Sequence, residues 1–298
     1  DEETSIKMFN RCREAGINFF DTADLYSFGL SETILGKCIT NCRDEIVLTS
    51  KAGSPMSENI NDKGLSRYHI RQSIEKSLKR LNTDHIDLYF LHIYDPDTVI
   101  EETLSVLDDL QRQGKILYLG VSNWSAWQIA KALGISERKG LARFECIQPM
   151  YSLIKRQVEV EILPLAKEEN IGIISYSPLG AGMLTGKYKE KETAKGRINE
   201  NKMYANRYAD SVYYKVAESF VDYAEQKNIN PAALAVAWVM YNPVITAPII
   251  GARNLDQLEQ VLASLEVEMN PTMYEEISSL SVSPPVATDR SEEKINKK

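Results

Sequence analysis

Short apolar runs, each stopping on a charged or polar side chain, recur along this sequence between segments of helical periodicity. Ile17–Phe20 stops on Asp21, Glu45–Ser50 on Lys51, and Ile86–Leu91 on His92. Ile116–Val121 stops on Ser122 and Asn123, Phe144–Ile147 on Gln148, Ile171–Ile174 on Ser175 and Tyr176, and Thr246–Ile250 on Gly251. The intervening segments carry helical stripes: Ile70, Ile74, Leu78 and Leu81 in one, Leu104, Leu107 and Leu110 in the next. Runs this apolar, separated by helices, predict a parallel sheet buried on both faces with right-handed crossovers. Polar side chains at the end of every run predict an α/β fold of the (β/α)8 TIM barrel type, whose site is built at the C-terminal ends of the strands. A doubly wound sheet is the alternative. It is weakened because the first strand–helix turn carries no Gly-x-Gly-x-x-Gly phosphate loop. An eighth strand would have to precede Asp1, where the chain opens directly in a helix, so the barrel is expected to lack its first strand here and to close poorly alone. We expect one domain over residues 1–280 and a C-terminal tail over 281–298.

The first run poses the chemical question. A desolvated carboxylate at the end of a buried strand costs several kcal/mol unless it is paired, so Asp21 requires a cationic partner. Lys51 and His92 close the next two strands, and Tyr26 lies just past Asp21. In a barrel these four converge. A phenol near its ordinary pKa of ~10 is a poor acid at neutral pH. A lysine within hydrogen-bonding reach stabilises the phenolate and improves the phenol as a proton donor. Asp21 would keep that lysine charged and aimed, while His92 would donate to a substrate carbonyl oxygen. Each residue also has a plainer reading: a packed core histidine, a structural Asp–Lys pair, or a Schiff-base lysine as in a barrel aldolase.

Taken together, Phe20–Tyr26 (FDTADLY), Gly29–Glu32 (GLSE), Ser50-Lys51, Asp87–His92 (DLYFLH), Gly120–Asn123 (GVSN), Gln148-Pro149, Tyr176–Gly180 (YSPLG), Leu184–Tyr188 (LTGKY) and Ile250–Asn254 (IGARN) resemble the aldo-keto reductases. The likeness extends to the bacterial general-stress and potassium channel β-subunit branches. It implies NADPH-dependent reduction of an aldehyde or ketone, reversible as alcohol oxidation, with Tyr26 as general acid and Lys51, Asp21 and His92 completing a tetrad. It also implies an extended NADPH or NADP+ across the barrel mouth. Ser122, Asn123 and Gln148 would hold the nicotinamide amide, Tyr176 would stack on its ring, and Ser177, Pro178, Leu179 and Gly180 would follow the pyrophosphate. Lys187 and Arg197, in a polar stretch from Lys187 to Arg207 that reads as a lid, would contact phosphate. Gly251, Arg253 and Gln257 would grip the 2′-phosphate, where a guanidinium fits a dianion in bidentate fashion. At the adenine, the family's usual Glu and Asn are replaced by Gln260 and Val261, which makes that contact different. Tyr94 and Trp124 would give the substrate pocket aromatic walls. A cofactor-binding regulatory subunit of the channel β type, or a truncated remnant of low activity, are the competing readings.

Composition limits the partners. A net charge of −7 leaves no basic excess for a general nucleic-acid binder. No apolar run is long enough to span a bilayer, and no signal pattern opens the chain, so a cytoplasmic protein without membrane partners is expected. Cys12, Cys38, Cys42 and Cys146 show no paired metal-ligand spacing; Cys38 and Cys42 form at most half a site, and free thiols and no metal are expected.

Overall fold

The computed structural model describes residues 1–188 and 196–286. They divide into two compact units, the first comprising residues 1–148 with 170–172 and the second the remainder.

In the first unit, helix α1 (Glu2–Glu14), capped by Asp1, leads into β1 (Phe19–Asp21). There follow α2 (Leu30–Ile39), β2 (Val47–Ala52), α3 (Arg67–Leu81), β3 (Ile86–Leu91), α4 (Ile100–Arg112), β4 (Ile116–Ser122), α5 (Ala126–Lys139) and β5 (Phe144–Gln148). Each strand pairs in parallel with the next, with Asp21 opposite Thr49, Lys51 opposite Phe90, and Ser122 opposite Gln148. The strand ends expected to carry chemistry therefore lie side by side along one edge of this sheet. Local signals fix the helix starts. Ser66 caps α3 by accepting from the His69 amide, and Ser125 and Gln128 form a reciprocal capping box on α5.

The second unit contains α6 (Ile162–Glu168), all but the first residue of β6 (Gly172–Ser175), α7 (Arg197–Glu200), α8 (Lys202–Arg207), α9 (Ser211–Gln226), α10 (Pro231–Tyr241), β7 (Ala247–Pro248), α11 (Leu255–Leu262) and α12 (Pro271–Ser279). β6 and β7 are again parallel. This parallel alternation is that of the (β/α)8 barrel class.

Several elements differ from the sequence reading. The strand expected over Thr246–Ile250 is reduced to Ala247–Pro248, where the proline has no amide to offer a ladder. The segment after Pro271, where no helical stripe stands out in the sequence, is the helix α12: Asn270 caps it, Pro271 occupies its first turn, and Ile277 is fully buried. Within the stretch from Lys187 to Arg207, α7 and α8 are helical, and residues 189–195 lie outside the described residues, as do 287–298 of the tail. Among the described residues, no helix is long and apolar enough to cross a membrane. The four cysteines are free thiols.

Between the sheet and its covering helices in the first unit lies a polar layer. Glu32 of α2, fully buried, accepts from Arg80 Nε of α3 at 2.6 Å and from Ser50 Oγ of β2 at 2.6 Å. Ser73 and Ser77, buried on α3, make room for it, and Ser77 Oγ accepts from Arg80 at 3.3 Å. Helices α2 and α3 approach so closely that a Cβ on Gly36 would lie 2.7 Å from the carbonyl oxygens of Arg80 and Leu81. Intrinsic propensity favours alanine over glycine in a helix by about 1 kcal/mol, but overpacking against backbone costs about 1–3 kcal/mol. Sterics should win here: Gly36→Ala is expected to lower the urea midpoint, whereas a raised midpoint would show that the two helices can separate.

Candidate active site

Lys51 is the centre of the site. Its side chain is completely buried, and its ammonium donates to Asp21 Oδ2 at 2.6 Å, to the Thr22 carbonyl at 2.7 Å and to Tyr26 Oη at 3.4 Å. An ammonium has three N–H donors, and here each has an acceptor. Such an arrangement holds the lysine as a cation and leaves no free amine lone pair, which argues against the Schiff-base alternative. Asp21 is satisfied in turn. Besides Lys51, its carboxylate accepts from Thr49 Oγ1 at 2.7 Å and Gln148 Nε2 at 2.9 Å. Thr49 was not among the residues singled out in the sequence; only the β1–β2 register, which puts it opposite Asp21, reveals it.

Tyr26 opens a tight turn, Tyr26–Gly29, in which Ser27, Phe28 and Gly29 all have positive φ (49°, 52° and 90°). For a bulky residue such as Phe28 this backbone is strained, as is common where a turn must present a functional group. Gly29 is required twice over, by its own φ and because a Cβ there would lie 2.6 Å from Arg80 Cδ. The turn leaves Tyr26 40% exposed while Lys51 is inaccessible, with the ammonium 4.8 Å from the Tyr26 ring centroid.

His92 meets the Tyr26 ring edge-on, with centroids 5.8 Å apart. Its pKa is pushed down to about 4, by burial first and the Lys51 charge second, with Asp21 opposing. The imidazole is therefore neutral at pH 7, and its Nδ1 is buried without a hydrogen-bond partner among the described residues. Asn123 Nδ2 donates to the His92 carbonyl and to Ser122 Oγ, both at 3.0 Å, and Ser122 Oγ donates to the Gln148 carbonyl at 2.9 Å. So Ser122, Asn123 and Gln148 join Asp21, Tyr26, Lys51 and His92 in one connected cluster. With Gln148 Nε2 committed to Asp21, its Oε1 is the end left to accept from a ligand amide.

The remaining sequence-selected cofactor residues belong to the second unit. Tyr176 exchanges backbone hydrogen bonds with Pro149 and Tyr151. The Ser177–Gly180 turn again uses positive φ, at Ser177 (60°) and Gly180 (54°). Lys187, Arg197 and Arg253 form a cationic group: the Lys187 pKa is lowered by burial, then by Arg253 and Arg197, with Glu200 opposing. Glu200 Oε2 lies 3.1 Å from Arg253 Nη2, and the Arg253 amide donates to Gln257 Oε1 at 3.1 Å. Gly251 is open, with nothing within 4 Å of the position a Cβ would take. Gln257 and Gln260 are exposed and three residues apart on α11, hence on one face.

The lowered His92 pKa has a measurable consequence. An unfolded histidine takes up its proton near pH 6.5, the folded one only near pH 4. Stability is therefore lost as pH falls through this window, to a limit of roughly 3 kcal/mol. In urea titrations at pH 7, 5.5 and 4, the native protein should lose stability relative to His92→Asn by up to that amount. A constant difference between the two would show that His92 does not titrate as the geometry requires.

Comparisons with known proteins identify the family. The Aldo/keto reductase family model matches residues 1–282. The chain is 35% identical over 297 residues to the Bacillus subtilis protein named uncharacterized oxidoreductase YrpG, covering 95% of this chain and 89% of that protein. It is 36% identical over 297 residues to a probable voltage-gated potassium channel subunit beta of Arabidopsis thaliana, covering 96% and 89%. It is 34% identical over 299 residues to the aldo-keto reductase YhdN of Bacillus subtilis, covering 97% and 88%. A family match across the described fold, with the tetrad assembled inside it, establishes that this chain belongs to the aldo/keto reductase family.

Proposed function

We propose that this oxidoreductase reduces an aldehyde or ketone with NADPH, using Tyr26 as the proton donor. The observation that carries the reading is the Lys51 ammonium, buried and charged, with Tyr26 Oη at 3.4 Å and Asp21 behind it at 2.6 Å. NADPH, when bound, would supply the hydride for the carbonyl carbon. Tyr26 Oη gives its proton to the carbonyl oxygen, and the phenolate left behind is stabilised by Lys51, which stays cationic throughout. Asp21 holds the ammonium in place. Neutral His92 donates a hydrogen bond to the same oxygen, orienting it and stabilising its developing charge. Tyr26 is partly exposed, so solvent can restore its proton.

Two observations support the cofactor. Gln148 offers an acceptor beside the tetrad, suited to a carboxamide. In the second unit, Arg253 and Arg197 both disfavour the charged Lys187, with Glu200 opposing them, and a phosphate dianion would relieve that repulsion. The likeness to channel β subunits supports a second reading, a regulatory subunit that binds the cofactor but turns it over slowly. A panel of aldehydes with NADPH consumption as readout separates the two.

Tyr26→Phe should lower kcat on the order of 10²–10⁴-fold while leaving NADPH binding, followed by cofactor fluorescence, nearly unchanged. Unaltered turnover would remove Tyr26 from the reaction. Arg253→Ala should weaken NADPH binding about tenfold or more and leave NADH binding nearly as it was, since only NADPH carries the 2′-phosphate. Equal weakening of both would remove the 2′-phosphate contact.

A further inference from the structure

Asp24 lies two residues before Tyr26, and the reaction proposed above does not use it. It is 1% exposed, and neither of its carboxylate oxygens has a hydrogen-bond partner among the described residues. A buried carboxyl in this condition is costly if ionised. Its backbone is tied to the lysine strand, the Asp24 amide donating to the Lys51 carbonyl at 3.1 Å. Its side chain shares the polar layer on the other face of that strand. Charged and titratable groups come to it from each neighbouring element: Glu32 of α2, Arg80 and Lys76 of α3, Tyr89 of β3 and Asp62 of the loop before α3, with His69 lying 3.9 Å beyond Asp62. Tyr89 is fully buried and its hydroxyl is also without a partner. A cavity of about 190 Å³ opens between Asp24, Phe28, Asp62, Lys76 and Arg80.

We infer that Asp24 is a protonation-dependent positioning residue for Tyr26. Neutral, its carboxyl stays packed in the layer and the turn from Asp24 to Gly29 holds Tyr26 Oη against Lys51. Ionised, the carboxylate is drawn toward Lys76 and Arg80 at the cavity, its proton leaving to solvent by that opening, and the turn carries Tyr26 away from Lys51. The coupling is geometric: Phe28 lines the same cavity, Gly29 packs on Arg80, and the positive φ at Ser27 and Phe28 leaves the turn a strained backbone with a reason to relax. The balance falls near neutrality, because burial and then Glu32 push the Asp24 carboxyl up to about 7, against the Leu25 amide and Arg80. Below that pH the carboxyl is neutral and Tyr26 is in place; above it Tyr26 is displaced.

The direct test does not depend on catalysis. Phe28→Trp places a fluorophore on the cavity wall. Its emission, taken as the difference from the unsubstituted protein, should change between pH 5 and 9 with a midpoint near 7. The transition should vanish when Asp24→Asn is added. With Asp62→Asn instead, the midpoint should fall, because a nearby negative charge is removed and Lys76 is freed from its 3.1 Å contact with Asp62. Asp62 lies in a surface loop, so this arm stands even where Asp24→Asn fails to fold. An absent transition, a transition that persists with Asp24→Asn, or a midpoint unmoved by Asp62→Asn would each overturn the inference. The kinetic arm rests on Tyr26 as proton donor. There kcat should fall as pH rises through 7 with the KM for cofactor unchanged, and Asp24→Asn should abolish that fall. A fluorescence transition removed by Asp24→Asn, in a protein that turns over no carbonyl, would support the movement of the turn and overturn the proposed reduction instead.

Discussion

The ion pair between Lys51 and Asp21 is the contact on which the rest of the site depends. Burying an ammonium and a carboxylate costs several kcal/mol per ion, which their mutual attraction offsets only if the remaining hydrogen-bonding capacity is also met. Here it is met from four directions: the Thr22 carbonyl and Tyr26 hydroxyl on the lysine side, Thr49 and Gln148 on the carboxylate side. Those partners come from β2 and β5 and from the turn after β1. The pair therefore ties together strand ends that are remote in sequence, and it fixes where the Tyr26 hydroxyl finds its only buried cation among the described contacts.

Strand β2 carries charge to both of its faces. Lys51 serves the tetrad, while the preceding residue, Ser50, donates to Glu32 in the helix-facing layer, where Arg80 completes a second ion pair. Alternation of side chains along a strand makes this division unavoidable. It also means that the tetrad and the layer behind it share backbone. The Asp24 amide bonds to the Lys51 carbonyl from one side, and Arg80 packs under Gly29 from the other. A charge change in the hidden layer thus has a short covalent route to Tyr26.

The sequence displayed the tetrad more clearly than its supports. Asp21, Lys51 and His92 could be read as strand ends because the apolar runs before them are sharply bounded, and parallel pairing then places them together. Tyr26 followed from its distance to Asp21. The helix-facing layer was harder to see. Ser73 and Ser77 interrupt the apolar stripe of α3 four residues apart, a signal of a polar seam, but Arg80 and Glu32 look like ordinary surface charges until α2 and α3 are packed through Gly36. Asp24 reads as a turn residue, and only burial without a partner makes it unusual. The short β7 and the helix α12 were missed for a different reason: Pro248 cuts a ladder that the apolar run Thr246–Ile250 promised, and α12 draws its stability from a cap, a proline and one buried isoleucine rather than from a long amphipathic stripe.

Placing one permanent cation in a confined site decides the state of everything near it. Lys51 has its three acceptors; burial first, and the Lys51 charge second, push the pKa of His92, whose Nδ1 has no partner among the described residues, down to about 4. The cluster then holds one ion pair, an imidazole that is neutral at pH 7, and a phenol hydroxyl. No charge is left over in the resting site. Negative charge developing on a substrate oxygen would be the first imbalance it meets, and the groups facing that charge would be a hydrogen-bond donor and a phenol backed by an ammonium. Because Tyr26 alone among the four is substantially open to solvent, a proton given up there would be replaced without disturbing the buried pair. Burial and pairing of Lys51 and Asp21 thus leave Tyr26 as the member of the four that faces solvent.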